Sequence, residues 1–329
     1  MSTRGRALLI ASLLAWASAC AEPGGEGAAD APADATASVD SAFADTGSTL
    51  DAQADDTRAG DDTPARADSA LDLPPTDDRD HDGIPDAADP FPDDATRPGV
   101  ALELTVYAHT AAALFTMNVK TYQVAEVGEF DFPPTDALIE EMTDIAIDRW
   151  GVLWGISFER LWVCHPQTAE CWLMGELPDR FNGLTWIPGP AISAGSDMLV
   201  GVSGDGGWFR LEPKGAAVAA TKLGSYGPDL TSSGDAFSIE GIGTFASVNQ
   251  GSEVDDRIVR VDPKTGGALA LVGTTPGLYQ LWGLAGWTER IFGFDASGEI
   301  VVVNVLSGEV ASVAKTAHAW WGAGVRTRL

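Results

Sequence analysis

The residues best spaced to do chemistry lie in the run DRDHDGIPDAADPFPDD, which begins at Asp78. Carboxylates at alternate positions converge on one point only if the chain wraps around it, and Gly83 permits the sharp turn that wrapping needs. Counted from Asp78, carboxylates fall at positions 1, 3 and 5 (Asp78, Asp80, Asp82), Gly83 at 6, the Ile84 carbonyl at 7 and Asp89 at 12. That is the ligand order of an oxygen-rich Ca2+ loop. Oxygen-only donors favour Ca2+ over zinc or copper, and His81 projects between the ligand positions. An EF-hand would need flanking helices, which Pro74, Pro75, Pro85, Pro90 and Pro92 oppose. The competing reading is an acidic linker that merely contains spaced Asp.

The spacing DxDxDGxxDxxD, followed by DPFPDD, resembles a thrombospondin type 3 repeat. The resemblance implies Asp78, Asp80, Asp82, Asp86 and Asp89 as carboxylate ligands, with Asp93 and Asp94 as further partners. One isolated copy departs from the tandem array in which neighbouring loops share ions, which implies a modest affinity.

Elsewhere catalytic constellations are scarce. The chain has 4 His, at 81, 109, 165 and 318, with no HExxH pairing, and no GxSxG elbow. Its Gly-rich pieces (Gly204–Gly207, Gly273–Gly277) sit at strand ends rather than before helices, so they do not cradle phosphate. A glycosidase would need two carboxylates facing a common axis; Asp144 and Glu240 fall near such positions. Of 11 Trp, a set comprising Trp150, Trp154, Trp186, Trp282, Trp287, Trp320 and Trp321 falls near inner strands. Such rings either stack on sugars or fill the wedges between sheets, and packing is the commoner use. Among the 3 Cys, Cys164 and Cys171 flank a tight turn that sets them opposite one another, within disulfide range. His165 beside them does not make a zinc site, because too few ligands lie near.

The elements that must position these residues are β-strands. The stretch RIVRVDPKTGGALALVG, from Arg257, reads as two strands joined by a turn in which Pro263 and Gly266 supply the required φ values. Related hairpin turns open at Asn118, His165, Glu212, Asp262 and Asn304, about 42–50 residues apart, a period of propellers, solenoids or arrays. Around most hairpins two further strands can be placed, and four strands per unit at this period predict a β-propeller. The first unit lacks an innermost strand, and the segment from Trp321 to Arg328 is unpaired. Joining the two gives an all-β, five-bladed β-propeller closed by N- and C-terminal strands in one blade, with no open edge. A sixth blade requires hidden strands in 129–142 or 225–238, which read as loops. The pattern DPxTG…VG…GLA, here RIVRVDPKTGGALALVG followed by LWGLAGW, resembles secreted bacterial propellers related to the NHL and quinoprotein-like groups. That resemblance concerns fold and implies no particular ligand.

Ahead of the propeller the composition changes. The 329-residue chain carries a formal charge of −28, and the acidic excess is concentrated before residue 100. It argues against nucleic acid, which requires Lys and Arg, and against charge-driven adhesion to anionic lipid. Residues 1–20 have the layout of a secretory signal: Arg4 and Arg6, an apolar run from Ala7 to Trp16, then small residues. The ending Ala17-Ser18-Ala19-Cys20 resembles the lipobox of bacterial lipoproteins, which implies acylation of Cys20 and an outer-membrane or cell-surface destination. Ala17 departs from the usual Leu, and cleavage without lipidation remains the alternative. Residues 21–76, rich in Ala and Asp with few large apolar side chains, cannot offset their ordering entropy and are expected to form a disordered acidic tether.

The expected organisation is a signal over 1–20, a tether over 21–76, a Ca2+-binding loop over 77–97 and a propeller over 100–329. The expected function is a monomeric, membrane-anchored calcium-binding lipoprotein of the cell envelope. It would touch the membrane through its lipid alone and bind a protein or glycan ligand at the propeller face. The alternative is a glycan-binding lectin or glycan-processing hydrolase.

Overall fold

Four of the five repeated hairpins are held by a side chain at the head of the turn; the third is not, because Glu212 lies inside a strand and the turn falls at Gly215-Ala216 instead. Asn118 Oδ1 accepts hydrogen bonds from the amides of Lys120 and Thr121, Asp262 Oδ1 from Lys264 and Thr265, and Asn304 Oδ1 from Leu306 and Ser307. In the second hairpin His165 Nδ1 accepts from Gln167. Short polar residues at this place mimic a backbone turn, which is why one recurs there.

We describe a computed structural model, covering residues 77–137, 139–251 and 255–329. The chain divides into two units, Met1–Arg66 and Ala67–Leu329, and every described residue belongs to the second. The signal, Cys20 and the acidic tether lie outside the described residues.

The described chain is all-β apart from one helical turn, Gly189–Ile192. Strands β1 (Thr105–His109), β2 (Ala113–Asn118) and β3 (Val124–Glu129) are followed by β4 (Asp144–Ile147), β5 (Leu153–Ile156), β6 (Arg160–Cys164) and β7 (Cys171–Glu176). Next come β8 (Gly183–Ile187), β9 (Met198–Val202), β10 (Gly207–Lys214) and β11 (Ala217–Ser225). Then follow β12 (Leu230–Ile239), β13 (Gly243–Gln250), β14 (Arg257–Val261) and β15 (Ala268–Thr274). The last are β16 (Gly283–Trp287), β17 (Arg290–Phe294), β18 (Glu299–Asn304), β19 (Val310–Lys315) and β20 (Gly322–Gly324).

These strands form antiparallel four-stranded meanders, an arrangement consistent with a β-propeller. The sets β4–β7 and β8–β11 are linked edge to edge by one parallel bridge, Ala217 to Glu176. The remaining sheets run β12–β15, β16–β19 and β20-β1-β2-β3, so the last strand pairs with the first, Tyr107 opposite Gly324 and His109 opposite Gly322. The inner strands β4, β8, β12, β16 and β20 adjoin one another in that order, and β20 returns to β4.

Packing is apolar between sheets. Trp320, Phe294 and Phe292 are buried in one cluster that joins the first and last sheets, and Trp208 with Tyr226 is buried in another. Cys164 and Cys171 are register partners across β6 and β7 and form a disulfide, as the turn length predicts.

A second expectation needs correction. The segment 225–238 reads as loop, but its second half is β12, an innermost strand. Its Ser-Ser-Gly-Asp composition answers to crowding at the axis: a Cβ on Gly234 would lie 2.6 Å from the Cα of Trp282. The strand completes the fourth set and adds no further sheet. In segment 129–142, Glu129 ends β3 and the other described residues form no named strand, touching the sheets through a bridge from Asp131 to Glu170.

Candidate functional site

The acidic loop is built by its own carboxylates. Asp78 accepts from the amides of His81 (2.8 Å) and Gly83 (3.1 Å), Asp80 Oδ1 from Asp82, Asp82 Oδ1 from Ile84 (2.8 Å), and Asp89 Oδ1 from Phe91 (2.7 Å). Gly83 takes φ +94°, the left-handed value that glycine tolerates. Asp80, Asp82 and Asp89 thus each commit one oxygen to the backbone. The other oxygen of each is buried and takes no hydrogen bond. An orphaned buried carboxylate oxygen is costly, and here three occur in one loop. Single oxygens of Asp78, Asp80 and Asp82 lie within 4.8 Å of one another.

Electrostatics report the same crowding. Burial pushes the Asp89 carboxyl up to about 6, and the charges of Asp82, Asp80 and Asp78 add to the shift. Asp82 is raised by burial first and then by the charges of Asp80 and Asp78. Mutual repulsion that a divalent cation would relieve is what a hard-cation site requires of its donors. Asp86 is placed differently: its oxygens accept from Arg79, from the amide at 3.0 Å and from Nε at 2.8 Å, and these bonds hold its carboxyl below the usual range. Arg79 also bridges to Asp93 at 2.8 Å, while Asp94 accepts from Thr96. His81 is exposed.

The loop is attached to the sheets by apolar contacts. Ile84 is fully buried in a cluster with Val152, Trp154, Leu184 and Leu211, side chains from both β4–β7 and β8–β11, and Ala88 and Phe91 pack against that cluster. Further along, Phe91 meets Trp172 edge-on at 5.2 Å and Arg97 stacks over the same indole at 5.3 Å.

A second constellation lies where the inner strands converge. Asp144 of β4 and Asp235 of β12 are both fully buried. Asp144 accepts from the amides of Ile145 and Leu184, and Asp235 from those of Ala236, Leu284 and Ala323. Both carboxyls are pushed well up by burial. Asp144 is raised further by the charge of Asp235, while a hydrogen bond from Asp144 favours the ionised form of Asp235. The two carboxyls therefore titrate as a pair, and burial together with their mutual charge opposes ionising both. Glu240, proposed beside Asp144 on sequence grounds, is instead partly exposed and lies 3.6 Å from Arg149. Asp235 is the axial partner that sequence reasoning missed, because it sits in the segment that reads as loop.

His109 ends β1 beside this pair. It is fully buried, its Nδ1–H donates to the Thr110 carbonyl at 2.9 Å, and Nε2 has no partner. Asp144 Oδ1 is 3.9 Å away, but this is no salt bridge, since burial pushes the imidazole down to about 4 and leaves it neutral. The unfolded chain takes up that proton below about 6.5 and the folded one refuses it until about 4, so this contribution to stability is lost as pH falls through that window. His109→Gln should therefore lose up to about 3 kcal/mol less stability than the parent chain between pH 7 and pH 4. Denaturant unfolding of both chains between pH 7 and 4 checks this; parallel acid limbs would remove His109 from the account.

One residue outward from the pair, Thr143, Asn182, Ser233, Gly234, Trp282 and Trp321, with Phe158, line an open pocket of about 250 Å³. Inward, the axis narrows to a void of about 10 Å³ lined by Ile147, Trp186, Phe237 and their neighbours. The tryptophans divide accordingly: Trp154 and Trp320 are packing residues, whereas Trp282 and Trp321 line the open end.

Fold and site together define an all-β protein of propeller-like sheets with an acidic loop packed on its wall. No family model matches the chain, and no curated protein matches it. Among solved structures it is similar to an oligogalacturonate lyase in complex with manganese, at 13% identity and a TM-score of 0.36, over 66% of this chain and 63% of that one. It is also similar to hydrazine synthase of Kuenenia stuttgartiensis, at 12% identity and a TM-score of 0.37, over 64% of this chain and 62% of that one. A protein of unknown function from Bacteroides caccae matches at 9% identity and a TM-score of 0.36, over 63% of this chain and 71% of that one. The chain spans less than two thirds of the lyase and of the synthase.

Proposed function

We propose that this is a calcium-binding lipoprotein of the bacterial cell envelope, anchored through Cys20, that presents a five-bladed propeller as a binding module at the end of an acidic tether. In this reading β20 closes the ring by completing the blade of β1–β3. Ca2+ is held by Asp78, Asp80, Asp82, Asp89 and the Ile84 carbonyl, and Asp86 joins them if Arg79 releases it.

The observation that carries the calcium assignment is the set of three buried, unpartnered oxygens on Asp80, Asp82 and Asp89. An ordinary acidic linker would turn its carboxylates to water, whereas this loop points one oxygen of each inward and fastens itself by Ile84. The ion would supply charge neutralisation and a fixed loop geometry.

A hydrolase is the weaker reading. Paired carboxylates for glycoside hydrolysis stand about 5–9.5 Å apart, with sugar or water between them. Asp144 and Asp235 instead spend their oxygens on five inner-strand amides, in a region closed to water. Their geometry is that of a latch between strands.

Calorimetric titration of Ca2+ into the chain from Ala21 onward, beside an Asp80→Ala/Asp82→Ala double variant, tests the proposal. Saturable binding at one site that the variant loses is the expected result. Absence of binding, or binding that survives in the variant, would overturn the assignment.

A further inference from the structure

The pocket at the open end of the axis has a composition that selects its occupant. Two indoles, Trp282 and Trp321, meet there with ring planes at 83° and centroids 5.9 Å apart, and Phe158 supplies a third aromatic surface. Neither indole belongs to any of the hydrophobic clusters of the fold, whereas Trp162, Trp208 and Trp320 are fully buried within them. Packing between sheets therefore accounts for the second group and leaves the first unexplained.

The polar groups of the lining are equally specific. The Thr143 hydroxyl donates its hydrogen to the Ile156 carbonyl at 3.0 Å, and the Ser233 hydroxyl donates to Asp256 Oδ2 at 2.6 Å. Both present only lone pairs to anything in the pocket. Asn182 Oδ1 is buried and accepts no hydrogen bond. No charged side chain among the described residues lines the pocket; beside it, Arg180 stacks on Phe158 at 5.7 Å and lies 3.9 Å from Glu159, and Arg160 pairs with Asp136 and Glu140. The pocket thus offers aromatic faces and hydrogen-bond acceptors, with no charge to pair with an ionic ligand.

We infer that this pocket binds a neutral sugar ring, the terminal residue of a glycan. A pyranose presents C–H faces that lie against indole and hydroxyls that donate to the waiting acceptors. A volume of about 250 Å³ is below the usual range for ligand sites and admits one ring, with the rest of the glycan directed outward. The inference rests on the binding-module reading of the propeller and names the ligand of that module.

The test uses the full chain with Ca2+ present. Screening on a glycan array is followed by titration with the methyl glycoside of the best ligand, read by tryptophan fluorescence. Choline and glucuronate serve as cationic and anionic probes. The expected result is saturable binding of a neutral glycoside, weakened about tenfold in Trp282→Ala or Trp321→Ala and unchanged in Trp287→Phe, which lies in a different pocket. If the Trp variants misfold, Asn182→Ala, which removes an atom without a partner, should weaken binding instead. Three results overturn the inference: no glycan binding, preference for choline or glucuronate, or glycoside binding that the pocket variants leave intact. A chain that binds Ca2+ but no glycan refutes this inference alone, and one that binds glycan but no Ca2+ refutes the calcium assignment alone.

Discussion

Asp235→Ala should destabilise the fold by about 3–5 kcal/mol, while Asp144→Asn should cost less than about 1.5 kcal/mol, although the two residues occupy one buried site. Asp235 carries the larger set of backbone bonds. Its Oδ1 accepts from Ala236 at 2.5 Å, and its Oδ2 accepts from Leu284 of β16 at 2.5 Å and Ala323 of β20 at 3.3 Å. A single carboxylate therefore ties three inner strands together. Alanine would leave those amides without an acceptor in a region closed to water, and each such group costs about 1–3 kcal/mol before relaxation. At Asp144 burial and the charge of Asp235 both favour the neutral carboxyl, so a neutral asparagine of the same shape replaces it closely, its oxygen still accepting from Leu184. Denaturant midpoints of the two variants decide the matter, and equal losses would overturn this asymmetry.

The second large effect belongs to Ile84. Truncation to Ala should cost about 2–5 kcal/mol, because the side chain is fully buried between two sheets. The same change should weaken Ca2+ binding, since the residue that supplies a carbonyl to the ion also fixes the loop to the wall. The two effects are linked by mass action: an ion that binds only the folded loop stabilises whatever the loop is packed against, by about 2.7 kcal/mol at a hundredfold excess over Kd. Ca2+ should then shift the main unfolding transition of the β-sheets, and Ile84→Ala should shrink that shift. Calorimetric melts with Ca2+ and with chelator measure both. A shift confined to a small, separate transition would mean that the loop behaves as an appendage.

What the sequence revealed depended on how local the signal was. The hairpins were legible because a turn and its two strands lie within some fifteen residues, and Asp262, Pro263 and Gly266 carry their geometry in their own backbone preferences. The Cys164–Cys171 pairing followed from the same local register. β12 was concealed because the demands on it come from other strands: Gly234 is small on account of Trp282, and Asp235 is polar on account of amides in β16 and β20. The acidic loop was legible in its spacing but not in its seating. Ile84 was read for its carbonyl, whereas its apolar side chain, isolated among Asp, Gly and Pro, was the signal that the loop packs against something. That Arg79 occupies Asp86 is a contact that spacing alone does not foretell.

The pairing of β20 with β1 has a consequence for biosynthesis. A chain leaving the ribosome can complete the meanders β4–β7, β8–β11, β12–β15 and β16–β19 one after another, each from contacts near in sequence. The sheet begun by β1 must wait for Gly322–Gly324, synthesised after every other described strand, before it gains its inner strand. Until then Phe115, Met117 and Phe292 lack the covering that Trp320 and Ala323 provide. Contacts that distant in sequence form slowly and leave apolar surface open to wrong partners. The pairing of β20 with β1 is thus the step at which aggregation and proteolysis compete with maturation, and a premature stop upstream of Gly322 would leave β1 without its inner neighbour.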